Sequence, residues 1–181
     1  MLFRSALMFD LRSAPFGTPH EDLYPAALDM IEFADREGFD NIIFAEHHAS
    51  PDGYCPVPAL LAGAAGARTK NIMITLCALV LPLHDPVKLA EMIAVTDLLC
   101  GGRLHTVLAA GYAHREFAMF RKSMRDRGAA MDHGLEVILR NLKEYTLPQV
   151  RCQRRLIQKV LMYPQGALQL SAAPEESPQG E

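Results

Sequence analysis

No run of about 18 apolar residues free of charges and breakers occurs in this 181-residue chain, so no transmembrane helix is expected. The apolar start, Met1 to Leu11, is interrupted by Arg4 and Asp10 and followed by Arg12, without a small-residue cleavage site, which argues against a secretory signal. An excess of one charge is also lacking. The 18 Lys and Arg against 21 Asp and Glu leave a net charge of −3, which gives no electrostatic reason to expect nucleic acid. Cysteine is scarce: Cys55, Cys77, Cys100 and Cys152 form no C-x-x-C pair and have no histidine at zinc-finger spacing. Reduced thiols in a cytoplasm are the expectation, with no metal site. No G-x-G-x-x-G follows a strand and no G-x-x-x-x-G-K-[ST] occurs, which disfavours a nicotinamide-binding Rossmann domain and a nucleotide triphosphatase. The absence of G-x-S-x-G removes the usual hydrolase reading.

What is present is a chain half of whose residues are hydrophobic, long enough for one domain that buries roughly 70% of its unfolded surface. Leu2 to Leu11 reads as a first strand. A helix follows, with Asp22 as its cap and Pro25 in its first turn, and with Ala27, Met30, Ile31 and Ala34 on one face. Gly38 ends it. Asn41 to Ala45 is a consecutive apolar run, the pattern of a parallel strand covered on both faces. A helix over Pro58 to Ala67 and a strand from Ile72 to Leu79 come next. Asp85-Pro86 is a cap and an N1 proline opening a helix to Leu99, and Gly101-Gly102 stops it. Leu104 to Ala110 makes a fourth strand. Met131, Leu135, Ile138 and Leu142 then give the last helix one apolar face. The order βαβαβαβα without hairpin signals predicts an α/β fold with parallel strands, open or curled as part of a barrel. Residues 1–145 form this unit, and 146–181 read as a tail. Its basic part through Leu156, Ile157, Val160 and Leu161 suits a short amphipathic helix, and its end, 171–181, is expected to be disordered.

Glu46-His47-His48 directly follows the second strand, and groups at the carboxyl ends of parallel strands face the ligand crevice. Imidazole titrates near neutral pH and can give or take a proton. On position alone a pair of surface histidines, or one core histidine bonded to a carbonyl, is as good a reading. Zinc is disfavoured, because neighbouring side chains of an extended segment point apart. Asp85 is explained by capping, whereas His84 beside it has no such explanation. Gly111-Tyr112 begins the connection after the fourth strand; its glycine either admits a ligand close to the backbone or only turns the chain.

Gly38-Phe39-Asp40, Glu46-His47-His48, Leu81 to Val87, Ala90-Glu91, Asp97, Gly102-Arg103-Leu104 and Gly111 with Glu116-Phe117, taken in order, resemble the bacterial luciferase-like flavin-dependent monooxygenases over about residues 3 to 145. The resemblance implies a partial TIM-type (β/α) barrel. It implies reduced flavin mononucleotide (FMN) as cofactor, or a deazaflavin coenzyme as in a large branch of the family. His47 and His48 then fall at the proton-transfer motif. Cys77-Ala78 falls where members often carry a non-prolyl cis peptide under the flavin ring, and Ala109, Ala110, Gly111 and Tyr112 match the segment approaching ring and phosphate. The implied activity is oxidation of a small organic substrate by reduced flavin and O₂ in an apolar, water-poor pocket. A flavin reductase would supply the reduced flavin.

Two departures qualify the resemblance. Ala110 stands where luciferases carry a phosphate-binding arginine, which keeps deazaflavin-dependent hydride transfer open as the alternative, and Arg121 stands where relatives usually have glycine. Four βα units are legible where a barrel needs eight. The neighbours of the first and fourth strands are therefore expected to be missing, which leaves apolar edges suited to a homo-oligomer. A non-catalytic remnant acting only by association is the competing reading. No nucleic acid or membrane partner is expected.

Overall fold

The computed structural model describes residues 4–144, with side chains to residue 142, and the backbone of Ile157–Met162 and Leu168–Leu170. Strands β1 (Ala6–Phe9), β2 (Asn41–Phe44), β3 (Met73–Val80), β4 (Leu104–Ala109), β5 (Ile157–Met162) and β6 (Leu168–Leu170) lie in one sheet in chain order. Pairing is parallel from β1 to β5, and β6 runs antiparallel to β5. Helices α1 (His20–Arg36), α2 (Pro58–Arg68), α3 (Pro86–Leu99), α4 (His114–Met119) and α5 (Arg127–Glu144), with a 3₁₀ turn at Leu81–Leu83, make the connections. This is the partial α/β barrel expected from the sequence.

One sheet face packs under the helices. Ile42, Phe44, Ile74, Leu76, Leu104 and Leu108 alternate onto it and are fully buried. The opposite, concave face carries Met8, Ile43, Thr75 and His105 in one row across four strands. Met8 is 60% exposed there. The apolar run of β2 therefore misleads: its burial alternates, because only the helix-covered face is closed.

The segment through Leu156 to Leu161 does not form the expected helix over its described part. Residues 157–162 are strand β5, paired to β4 from Thr106↔Ile157 to Ala109↔Val160. The expectation that the fourth strand has no neighbour is corrected with it. The unpaired N–H and C=O row of β4 outweighs a marginal helical pattern, because a short isolated helix gains little in water. The expected disorder of 171–181 lies outside the described residues.

Asp22 does not cap α1. The helix begins at His20, and the amides of Asp22 and Leu23 both donate to the Pro19 carbonyl. Pro25 consequently sits inside the helix rather than in its first turn, and one intrahelical hydrogen bond is forfeited there. Glu21 and Asp22 suit the positive end of the helix dipole, which favours the earlier start. Met30 is 53% exposed at the edge of a narrow stripe of Ala27, Ile31 and Ala34. Strand β1 is shorter than the expected span of Leu2 to Leu11, and α4 forms in a segment read only as a connection, whereas the ends of α1 and α3 follow their signals. The Asp85 carboxylate accepts from the Lys88 amide at 2.9 Å, and Gly38, Gly101 and Gly102 take left-handed φ where α1 and α3 end.

Polar residues lock the ends of these elements together. The Arg103 guanidinium donates to the carbonyls of Gly66, Thr69 and Ile72 and to the Thr69 hydroxyl, which satisfies the C-terminus of α2. The Asp35 carboxylate accepts from the amides of Lys70, Asn71 and Ile72. Helices α2 and α3 meet closely at Gly66, where a Cβ would lie 2.6 Å from Cys100 Sγ and 2.8 Å from Cys100 Cα. Nothing lies within 4 Å of a Cβ added at Gly128, in the first turn of α5. Gly66→Ala should therefore destabilise by about 1–3 kcal/mol in urea unfolding. Gly128→Ala should stabilise by up to about 1 kcal/mol. Midpoint shifts of the same sign would contradict this packing.

Candidate active site

The carboxyl ends of β1 to β4 deliver their following loops to one rim, and the titratable residues gather there. Glu46 leaves β2 and is only 2% exposed. Its Oε1 accepts from Nε2 of His48 at 2.9 Å and from Nε2 of His84 at 2.7 Å, while Oε2 accepts from the Val80 amide at 2.7 Å. One carboxylate thus ties the end of β2 to the end of β3 and to the turn before α3. Burial acts to raise the Glu46 pKa. The ring N–H groups of His48 and His84, the charge of His84 and the Val80 amide outweigh that and hold it at about 2.

Glu116, on α4, is the second buried carboxylate, also 2% exposed. Its Oε1 accepts from His47 Nδ1 at 2.8 Å and from the His48 amide at 3.0 Å. The His47 ring stands edge to face with Tyr54, centroids 4.7 Å apart, and with Tyr112 at 5.8 Å. The Arg12 guanidinium lies over Tyr54 and is held by Asp10 and, more distantly, by Asp52. His48, though adjacent in sequence, turns the other way: its ring packs on Phe120 at 4.6 Å and its Nε2 meets Glu46. The His47 side chain is 26% exposed against 9% for His48.

The Cys77–Ala78 peptide bond is cis, as the resemblance implies at this position, and it interrupts the β3–β4 register. Cys77 is exposed on the concave face. Ala109 and Ala110 are buried at the end of β4, Gly111 has φ +77°, and Tyr112 is 58% exposed beside His47. A Cβ on Gly111 would meet Val80 Cγ1 at 2.6 Å and Phe117 Cε2 at 2.8 Å, so this glycine is required by packing as well as by its turn. Arg121 has φ +54°, a left-handed conformation that glycine adopts more readily than arginine. Sequence reasoning left His84 unexplained and gave Glu46 and Glu116 no separate roles. Position beyond a strand end was the signal for Glu46 and His84, and the family pattern was the signal for Glu116. A cleft of about 210 Å³ borders His84 with Lys122, Asp126 and His133, but His47, Tyr54 and Tyr112 do not line it. It meets the rim at His84 and lies away from the His47 side. Among the described residues no cluster suited to a metal ion occurs, and no helix is long and apolar enough to cross a membrane.

The lowered Glu46 value sets a pH dependence. A carboxyl held at about 2 when folded and near 4.5 otherwise contributes stability that is complete above the higher value and lost as pH falls through the lower one. The difference corresponds to roughly 3 kcal/mol. Glu46→Gln should cost most in denaturant unfolding near neutral pH, and its gap to wild type should narrow from about pH 5 to about pH 2. A gap independent of pH would mean that Glu46 is not held as a charged group.

Residues 5–166 match the family model described as luciferase-like monooxygenase. The oxygenase component of the flavin-dependent trigonelline monooxygenase of Acinetobacter baylyi is 33% identical over 91 residues, covering 50% of this chain and 25% of that one. Among solved structures, the monooxygenase RslO1 from Streptomyces bottropensis superposes with a TM-score of 0.78 at 25% identity, covering 88% of this chain and 53% of the other. Two more show the same fold. They are the oxygenating constituent of 3,6-diketocamphane monooxygenase from Pseudomonas putida in complex with FMN (TM-score 0.68, 24% identity, 76% and 39% covered) and an F420-dependent secondary alcohol dehydrogenase in complex with an F420–acetone adduct (TM-score 0.60, 19% identity, 77% and 42% covered). The chain spans about a third or less of the curated relatives it matches and about half of the RslO1 chain. With the motifs, the fold and the family model in agreement, this chain belongs to the luciferase-like monooxygenase family.

Proposed function

We propose that this rim is the proton-handling part of a flavin-type oxidoreductase site that oxidises a small organic substrate with O₂. The observation that carries the reading is His47: partly exposed at the end of β2, held by buried Glu116 and flanked by Tyr54 and Tyr112. A hydrogen-bonded imidazole with one nitrogen accessible is suited to move a proton at a reacting centre.

In this reading the concave surface receives the ring of a flavin. Cys77 at the cis bend is exposed, Tyr112 is exposed beside Gly111, and both adjoin the end of the sheet where His47 stands. In this reading Cys77, Ala78, Gly111 and Tyr112 border the ring, and Ala110 lies toward its phosphate side. The bound reduced cofactor supplies the electrons and activates O₂. The protein's own part is to hold the ring, to keep water out, and to take up or return a proton at His47. His48 shares the motif and anchors it, with Nε2 committed to Glu46. FMN, delivered reduced by a separate flavin reductase, is the first choice; the A. baylyi relative is an oxygenase component and flavin-dependent by name. Ala110 offers no cation to a phosphate, and that favours a second reading in which a deazaflavin coenzyme undergoes hydride transfer instead. Association with a second copy belongs to the proposal. Leu60 on α2 and Val95, Leu98 and Leu99 on α3 are all about half exposed or more.

Anaerobic titration with reduced FMN and with a reduced deazaflavin, alongside molar mass in solution, tests this. Stoichiometric binding of either by a defined oligomer is expected. Colourless monomer or aggregate that binds and oxidises neither would overturn the proposal. His47→Ala should then lower turnover by about 10²–10⁴ while cofactor affinity is retained. Equal loss of both would assign His47 to binding or structure.

A further inference from the structure

We propose that Glu116 is the positioning residue that fixes the tautomer of His47, so that Nε2 is the only ring atom able to take up a proton in the reaction. The inference rests on the function proposed above for His47 but is tested without it.

A carboxylate oxygen offers only lone pairs, so the 2.8 Å contact from Glu116 Oε1 requires the proton of neutral His47 to sit on Nδ1. The same oxygen accepts the His48 amide at 3.0 Å and is therefore held from two directions. Glu116 is 2% exposed, so water competes little for it. With Nδ1–H committed, Nε2 carries the lone pair. A proton leaving a substrate or cofactor oxygen adds there, is held as imidazolium against the buried carboxylate, and is returned from the same atom; no electrons change hands. The other groups facing His47 do not impose this tautomer. Tyr54 and Tyr112 meet the ring edge to face, Arg12 with Asp10 and Asp52 stands beyond Tyr54, and Glu46 is occupied by His48, His84 and the Val80 amide.

The neighbouring histidines provide an internal contrast. His48 and His84 both present Nε2 to Glu46 Oε1, which requires Nε2–H and leaves Nδ1 as the lone-pair atom when they are neutral. Two consecutive histidines are thus held in opposite tautomers by two different buried carboxylates.

Long-range ¹H–¹⁵N correlation spectra of the ring nitrogens, on the full chain labelled with ¹⁵N-histidine and free of cofactor, read this directly. The expected result, at a pH where the rings are neutral, is protonated Nδ1 and bare Nε2 for His47, with the reverse for His48 and His84. Glu116→Gln keeps an acceptor and should keep the His47 tautomer. Glu116→Leu removes it, and the Nδ1–H form should fall from nearly all of the population to a minority, as in free histidine. Unchanged His48 and His84 signals would report that the loop is still folded. Nε2–H on His47 in the unaltered chain overturns the proposal, whether or not the leucine variant folds. So does an unaltered tautomer in that variant once the His48 signals show it folded. Failure of cofactor binding would leave the spectra as predicted, so the two proposals fail separately.

Discussion

The Glu46 carboxylate is the contact on which the rim depends. A charge 2% exposed is costly unless hydrogen bonds replace its water, and three do so here. Each of those bonds reaches a different segment: the loop after β2, the last residue of β3, and the residue before the Asp85 cap of α3. Loss of one partner would leave a buried charge short of a donor, so the three segments are held as a unit. The His48 backbone, fixed in this way, aims its amide at Glu116, and Glu116 in turn holds His47. The partly exposed His47 is therefore placed by a chain of contacts that begins at the residue just before it in sequence.

The same rim carries backbone in unfavourable conformations. Leu11, Ala49 and Arg121 have φ of 57°, 51° and 54°, and they follow β1, the His47-His48 pair and α4 respectively. A non-glycine residue there costs on the order of 1–2 kcal/mol. Such angles persist because the surroundings over-determine them. Ala49 lies directly after His48, whose ring and amide are both hydrogen-bonded, and Arg121 follows the helix that carries Glu116. Among the described non-glycine residues, left-handed φ occurs at these three positions alone, all in connections that follow the strands.

Signals that act within a few residues were legible in the sequence. Asp85-Pro86 caps a helix because the carboxylate reaches an amide three residues on, and Gly38 and Gly102 supply left-handed φ at helix ends. The placement of Glu46-His47-His48 after a strand followed from the periodicity of the chain. The partner of His47 lies 69 residues away, and no local pattern marks which carboxylate will come within 2.8 Å. Only the family pattern contains Glu116. The Cys77–Ala78 bend has no local signature either and was placed by resemblance alone. Local signals also competed and misled. Asp22 before Pro25 imitates a capped start, yet the helix begins at His20. The pattern of residues 156–161 imitates an amphipathic helix, yet an open strand edge takes its described part as β5.

In the proposed function, the described βα units would supply the acid–base arrangement but only one side of a cofactor enclosure. His47, Glu116, Glu46, His48 and His84 are joined by hydrogen bonds among themselves, with Glu116 supplied by α4, the helix that follows β4. The concave face offers a different balance: Met8, Cys77 and His105 are exposed, and Ala110 contributes no charge. A proton-transfer group needs orientation to within a hydrogen-bond length, which the buried carboxylates provide locally. A flavin-sized ligand needs walls on several sides and exclusion of water, and the described residues provide one wall. Positioning of the proton and enclosure of the cofactor are therefore separable demands on this fold. Under the proposed function, the described rim would meet the first through contacts among its own residues, and the second would need further surface opposite β1 to β4.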